Sequence, residues 1–139
     1  MPPTLLLDPS RLRLDLLRAD YSSITAVMAT TPTSSPCPLC DLPSSRVHSR
    51  YVRTLADLPW HGVAVSVQLT VRRFVCETDD CTRRIFGERL AGIVAPYARR
   101  TARLGDALEL IGFALGGEAG ARVLRQLAMV GSPDTLLRT

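Results

Sequence analysis

The chain has 139 residues, room for one ordinary domain or two very small ones. Its 46% apolar content is that of a globular protein, and no apolar run approaches the ~20 residues of a membrane span. The net charge of +4 is uneven: residues 46–103 hold eleven Arg against five acids, a local balance of +6, while each flank sums to −1.

All seventeen basic residues are Arg, whose flat fork of donors matches phosphate or the guanine edge. A GC-rich genome accounts for the absence of Lys but not for the clustering. The triplet Leu5-Leu6-Leu7 has no basic region before it and Asp8-Pro9 after it, so no secretory leader is expected. A reducing cytoplasm, where thiolates remain available to a metal, fits this pattern.

In chain order, Leu12, Leu14, Leu16 and Leu17 interleaved with Arg fit a short strand or an amphipathic turn. Ile24–Ala29 is a better strand candidate by its β-branched content, and Thr30–Pro36 is a polar connector. Val47, Tyr51 and Val52 suggest a short strand carrying Arg46, Arg50 and Arg53. Leu55–Gly62, with Pro59, the lone Trp60 and Gly62, reads as an ordered turn with an apolar anchor. Val63, Val65, Val67, Leu69 and Val71 then alternate with Ala64, Ser66, Gln68, Thr70 and Arg72, a period of two that marks a strand running to Cys76. Thr82–Phe86 is its expected return strand.

The four cysteines lie in two short pairs, Cys37-Pro38-Leu39-Cys40 and Cys76-Glu77-Thr78-Asp79-Asp80-Cys81. Two and four intervening residues fall within structural zinc spacing, and a hairpin between the pairs brings four thiolates to one tetrahedral ion. Disulfides within each pair would close tiny loops, and a redox Cys-x-x-Cys needs no second pair. Four cysteines complete a zinc shell without His48 or His61.

From Ala98 the period becomes helical: Leu104, Leu108, Ile111 and Leu115 recur on one face, and Gly116-Gly117 ends the helix. A second helix is expected from Glu118 to about Ala128, in which Gly120 lowers propensity unless another backbone packs close. Met129-Val130-Gly131 is a turn, and Ser132-Pro133-Asp134 opens a third helix with an N-cap and Pro at its first position. This is a helix-turn-helix layout whose last helix reads as cut short at Thr139.

The expected fold is therefore α+β: a small four-cysteine zinc ribbon of β-hairpins, then a truncated helix-turn-helix bundle. The expected division is an N-terminal strand segment and connector (1–34), a zinc-ribbon domain (35–95) and the helical unit (96–139).

Several runs together resemble the N-terminal region of bacterial insertion-sequence transposases of the ISL-three group. They are Cys37-Pro38-x-Cys40, Asp57-Leu58-Pro59-Trp60, Arg72-Arg73-Phe74-x-Cys76, Cys81-x-Arg83-Arg84-x-Phe86, Tyr97–Thr101, Gly116-Gly117 and Ser132-x-x-Thr135-Leu136-Leu137-Arg138. The resemblance implies a zinc finger and a helix-turn-helix ahead of a catalytic domain that this chain lacks. Asp41 departs from it, standing where Gly would turn the chain.

A truncated, non-enzymatic, nucleoid-associated module is the implied reading. It would take Zn2+ as cofactor and the double-stranded DNA of an element's ends as partner, with no membrane and no small-molecule substrate. Arg72, Arg73, Arg83, Arg84, Arg99, Arg100 and Arg103 are the candidate phosphate contacts, and Thr135 and Arg138 the candidate base readers. The alternative is a zinc-stabilised module that pairs with another copy or with full-length transposase through its helices. The thirteen acids are scattered, which argues against a two-metal nuclease within the chain.

Overall fold

The computed structural model describes residues 7–139; Leu5 and Leu6 lie outside them. Strands β1 (Leu12–Ala19) and β2 (Ser23–Thr30) form an antiparallel pair. Two short strands, β3 (Ser35–Pro36) and β4 (Pro43–Ser44), follow as a separate small ladder. Long strands β5 (Val47–Trp60) and β6 (Val63–Val75) make the central hairpin. Strand β7 (Ile85–Gly87) completes the sheet.

The order is β1-β2-β6-β5. β2 runs parallel to β6 from Ser23↔Ala64 to Ala29↔Thr70, and β7 pairs with β6 farther on, at Arg73–Val75. One edge of β6 is thus shared by two strands from opposite sides of the central hairpin in sequence.

The period-two residues of β6 pack as expected: Val65, Val67, Leu69 and Val71 are buried. Val67, Leu69 and Val71 join Leu12, Ala26, Met28 and Leu55 in one apolar cluster, capped by Leu90, Ile93 and Val94. Those last three come from the irregular segment 88–98, which Arg53 pins by hydrogen bonds from Nη2 to the carbonyl oxygens of Ala95 and Ala98.

The stretch 55–62 is not the turn that its Pro and Gly suggest, because β5 continues to Trp60 and only His61 and Gly62 turn. Both have positive φ, 48° and 77°, as a two-residue hairpin requires. Pro59 is tolerated because β5 is an edge strand and its register shifts between Asp57 and Trp60.

Helix α1 (Ala102–Gln126) begins at a Thr101 N-cap rather than at Ala98. The chain first makes a parallel bridge to the edge of β5, with Ala56 N donating to Arg99 O and Thr101 N to Ala56 O. α1 breaks where the glycine pair predicts, since Gly116 has φ 73° and ψ −175°. α2 (Pro133–Leu137) opens on Ser132, whose Oγ accepts from Thr135 N at 3.2 Å.

Leu104, Leu108, Ala121, Leu124 and Leu136 form the core of the helical unit, seated against Ala56 and Leu58. A Cβ at Gly120 would stand 2.6 Å from Leu136 Cδ1, so the glycine there admits α2. The region thus consists of a kinked long helix, a turn and a short helix.

Candidate metal centre

Each cysteine pair sits at a turn fixed by backbone bonds. In the first, between β3 and β4, Asp41 N donates to Cys37 O at 2.8 Å and Cys37 N to Leu42 O at 3.0 Å. Asp41 itself adopts φ 62°, the left-handed conformation for which Gly was expected. Replacing Asp41 with Gly should therefore leave stability unchanged or slightly raised, whereas Asp41→Val should cost about 1–2 kcal/mol, read by thermal melting of the zinc-loaded chain.

In the second knuckle, after β6, Cys81 N donates to Thr78 O, and Cys76 N donates to Arg84 O at 2.8 Å. The two knuckles are joined where Ser44 Oγ donates to Val75 O at 2.5 Å and Val75 N to Arg46 O at 2.8 Å.

The result is a four-sulfur cluster. Cys37 Sγ lies 3.9 Å from Cys81 Sγ and Cys40 Sγ 3.7 Å from Cys76 Sγ, with all four sulfurs within 4.8 Å of one another. A tetrahedron with Zn–S bonds of about 2.3 Å has edges of about 3.8 Å, so the donor set fits zinc. It does not fit disulfides, whose sulfurs stand about 2.05 Å apart. Phe74 and Phe86, stacked with centroids 5.8 Å apart, back the cluster and keep water from it.

The thiols are held unequally. The hydrogen bond between Cys40 Sγ and Thr78 Oγ1 at 3.5 Å, helped by the Leu42 amide, brings Cys40 down to about 6. At Cys81 a backbone bond from Arg83 pulls downward, yet burial and the neighbouring sulfurs push the thiol up to about 11. A metal removes this conflict by taking all four as thiolates, releasing their protons. His48 stands outside the cluster, its Nδ1 3.1 Å from Ser49 Oγ.

The arginines divide. Arg72 lies inside, its Nη2 3.0 Å from Glu88 Oε2 and its guanidinium over the Phe74 ring; Glu88 also accepts from Thr30 Oγ1. Arg103 Nε and Nη2 both reach Asp57, which also accepts from Thr101 Oγ1 at 2.7 Å. Both pairs are largely buried: the Glu88 side chain is 3% exposed and that of Asp57 2%. These two arginines serve the fold by neutralising buried carboxylates.

Arg73, Arg83, Arg84 and Arg99 are exposed and Arg100 half-buried. Thr135 Oγ1 bonds Ser132 Oγ, and Arg138, 78% exposed, makes a surface pair with Asp134. The motif reading found Asp57, Arg72, Thr101 and Arg103 without this role, and did not single out Glu88. An acid in an otherwise β-branched, Arg-rich strand pair was the available signal.

Residues 33–81 match a family model described as the zinc-finger of transposase IS204/IS1001/IS1096/IS1165. No curated protein and no solved structure matches the chain. Among the described residues no helix is long and apolar enough to cross a membrane. The matched stretch contains all four sulfur ligands and both knuckles. Residues 33–81 are therefore similar to the zinc finger of those transposases.

Proposed function

We propose that this chain is the zinc-dependent DNA-binding module of a transposase of that type, recognising the duplex at an element's ends. The observation that carries the reading is the set of exposed arginines bracketing the zinc knuckles. Arg73 leads into one knuckle, Arg83 and Arg84 lead out, and Arg99 and Arg100 follow beside the edge of β5. Zinc fixes the knuckle shape, and the arginines add positive field around it, the chemistry that holds phosphates in register.

Arg72 and Arg103 support the reading indirectly, by holding the surfaces that carry the others. On this reading the segment from Ser132 reads bases. Arg138 is the more available reader, because its surface pair with Asp134 is cheaply exchanged for a base edge.

Affinity measured against salt tests it. Replacing Arg84 and Arg99 together with Gln should flatten the slope of log K against log salt by about two units, one per lost phosphate contact. An unchanged slope removes both from the interface.

One observation favours a second reading, a module that pairs with another copy or with full-length transposase. The helical unit leaves Leu110, Phe113 and Leu137 exposed, Phe113 at 93%. Sedimentation over a concentration series, with and without duplex, separates the two.

A further inference from the structure

A groove of about 730 Å3 lies between β7 and the irregular segment 88–98. Tyr51, Arg73, Arg83, Arg89 and Tyr97 line it, with Gly87 of β7 among them. Arg73 stacks on Tyr51, its guanidinium carbon 4.4 Å from the ring centroid. Tyr97 is almost wholly exposed and sits at φ 61°, a left-handed backbone that turns a large aromatic outward.

The groove's charge is positive. Glu88 is turned to Arg72, and Arg53 is occupied by two carbonyls. Arg83 uses Nε on Ile85 O, while the side chains of Arg73 and Arg89 make no hydrogen bond or ion pair among the described residues.

Gly87 adds an independent sign. Its φ is not positive, and a Cβ there would meet only Tyr51 Oη, at an ordinary 3.7 Å. The fold therefore does not require glycine at this strand position, where glycine weakens a strand and leaves room for a close approach.

The geometry points to a binding site for an unpaired nucleic-acid strand, one or two nucleotides of it, in this groove. A concave site of this size suits a nucleotide and not a duplex, whose bases keep their faces stacked inside. Arg83 and Arg89 meet the phosphates, and a base lies on the Arg73–Tyr51 stack or on Tyr97. The inference rests on the DNA reading above and narrows it: beside the duplex, the protein holds a frayed or displaced strand of the element's end.

The test uses the full zinc-loaded chain, with a short fluorescent oligothymidylate and, separately, a duplex of mixed sequence. Gly87→Val fills the groove without altering charge and should leave the melting temperature unchanged or raised. Oligothymidylate affinity should fall at least about tenfold, the scale of one lost stacked base, while duplex affinity holds within about twofold. Should Gly87→Val melt lower, Arg89→Gln serves instead, with the same contrast expected.

Equal oligothymidylate binding by wild type and variant overturns the inference. So does wild-type binding of duplex alone, which leaves the duplex reading standing. Groove-dependent oligothymidylate binding without duplex binding upholds the groove and removes the duplex reading. Displacement of oligothymidylate by polyglutamate at matched charge marks a general anion site and overturns the inference.

Discussion

Cys76→Ser, or removal of zinc by a chelator, should unfold the knuckle end of the molecule and leave the rest of the sheet paired. The cluster around the sulfurs consists of Cys37, Cys76, Cys81, Phe74 and Phe86, with Cys40 and Val47 at its margin. That is too little apolar surface to hold two turns and the short strands β3, β4 and β7 together. Structural zinc supplies about 10–16 kcal/mol in finger peptides, more than the whole stability of many domains.

The other two clusters share no residue with this one, so the loss is local. Amide exchange should show protection vanishing over 35–46 and 76–87 while Ile24–Ala29, paired to β6, stays protected. Retention of one zinc per chain by Cys76→Ser, with unchanged exchange at the knuckles, would refute this account.

Asp57→Ala should be the most damaging substitution outside the metal site, at about 3–5 kcal/mol, because it removes the buried carboxylate of an ion pair. Asp57 accepts from both the Thr101 hydroxyl and the Arg103 guanidinium. Thr101 also caps α1 and bonds Ala56 through its backbone. One carboxylate therefore ties the sheet edge to the start of the helical unit.

Denaturant unfolding should show the loss, and helical circular dichroism should fall before the sheet signal does. Adding Arg103→Met to Asp57→Ala should recover part of the stability, since the cation that the carboxylate neutralised is then gone too. A cost below about 1 kcal/mol for Asp57→Ala would mean the pair behaves like a solvated surface bridge.

The zinc shell was legible because its spacing is set by coordination chemistry and not by the rest of the fold. β6 was legible because one of its faces is buried from Val65 to Val71, which imprints a period of two. The continuation of β5 through Pro59 was hidden, since proline signals a break except on an edge strand, and edge position is a tertiary fact. The core role of Leu90, Ile93 and Val94 was hidden for a related reason: residues in an irregular segment leave no period.

The arginine cluster was visible as a count and a location. Which of its members face solvent depends on Glu88 and Asp57, and those partners follow from strand register rather than from local pattern. The glycine pair located the break at Gly116, while the true start at Thr101 came from a cap that bonds the sheet.

The sharing of β6 has a practical consequence for anyone trimming the chain. A piece cut to the family-matched stretch 33–81 would lose β1 and β2 from one end and β7 from the other. The amides and carbonyls of β6 from Ala64 to Thr70 would then face solvent, Phe74 would lose its stacked neighbour, and Val67 and Leu69 would lose Ala26 and Met28 from their cluster. Such a fragment carries every ligand for its ion and still presents a sticky open strand, inviting association with its own copies.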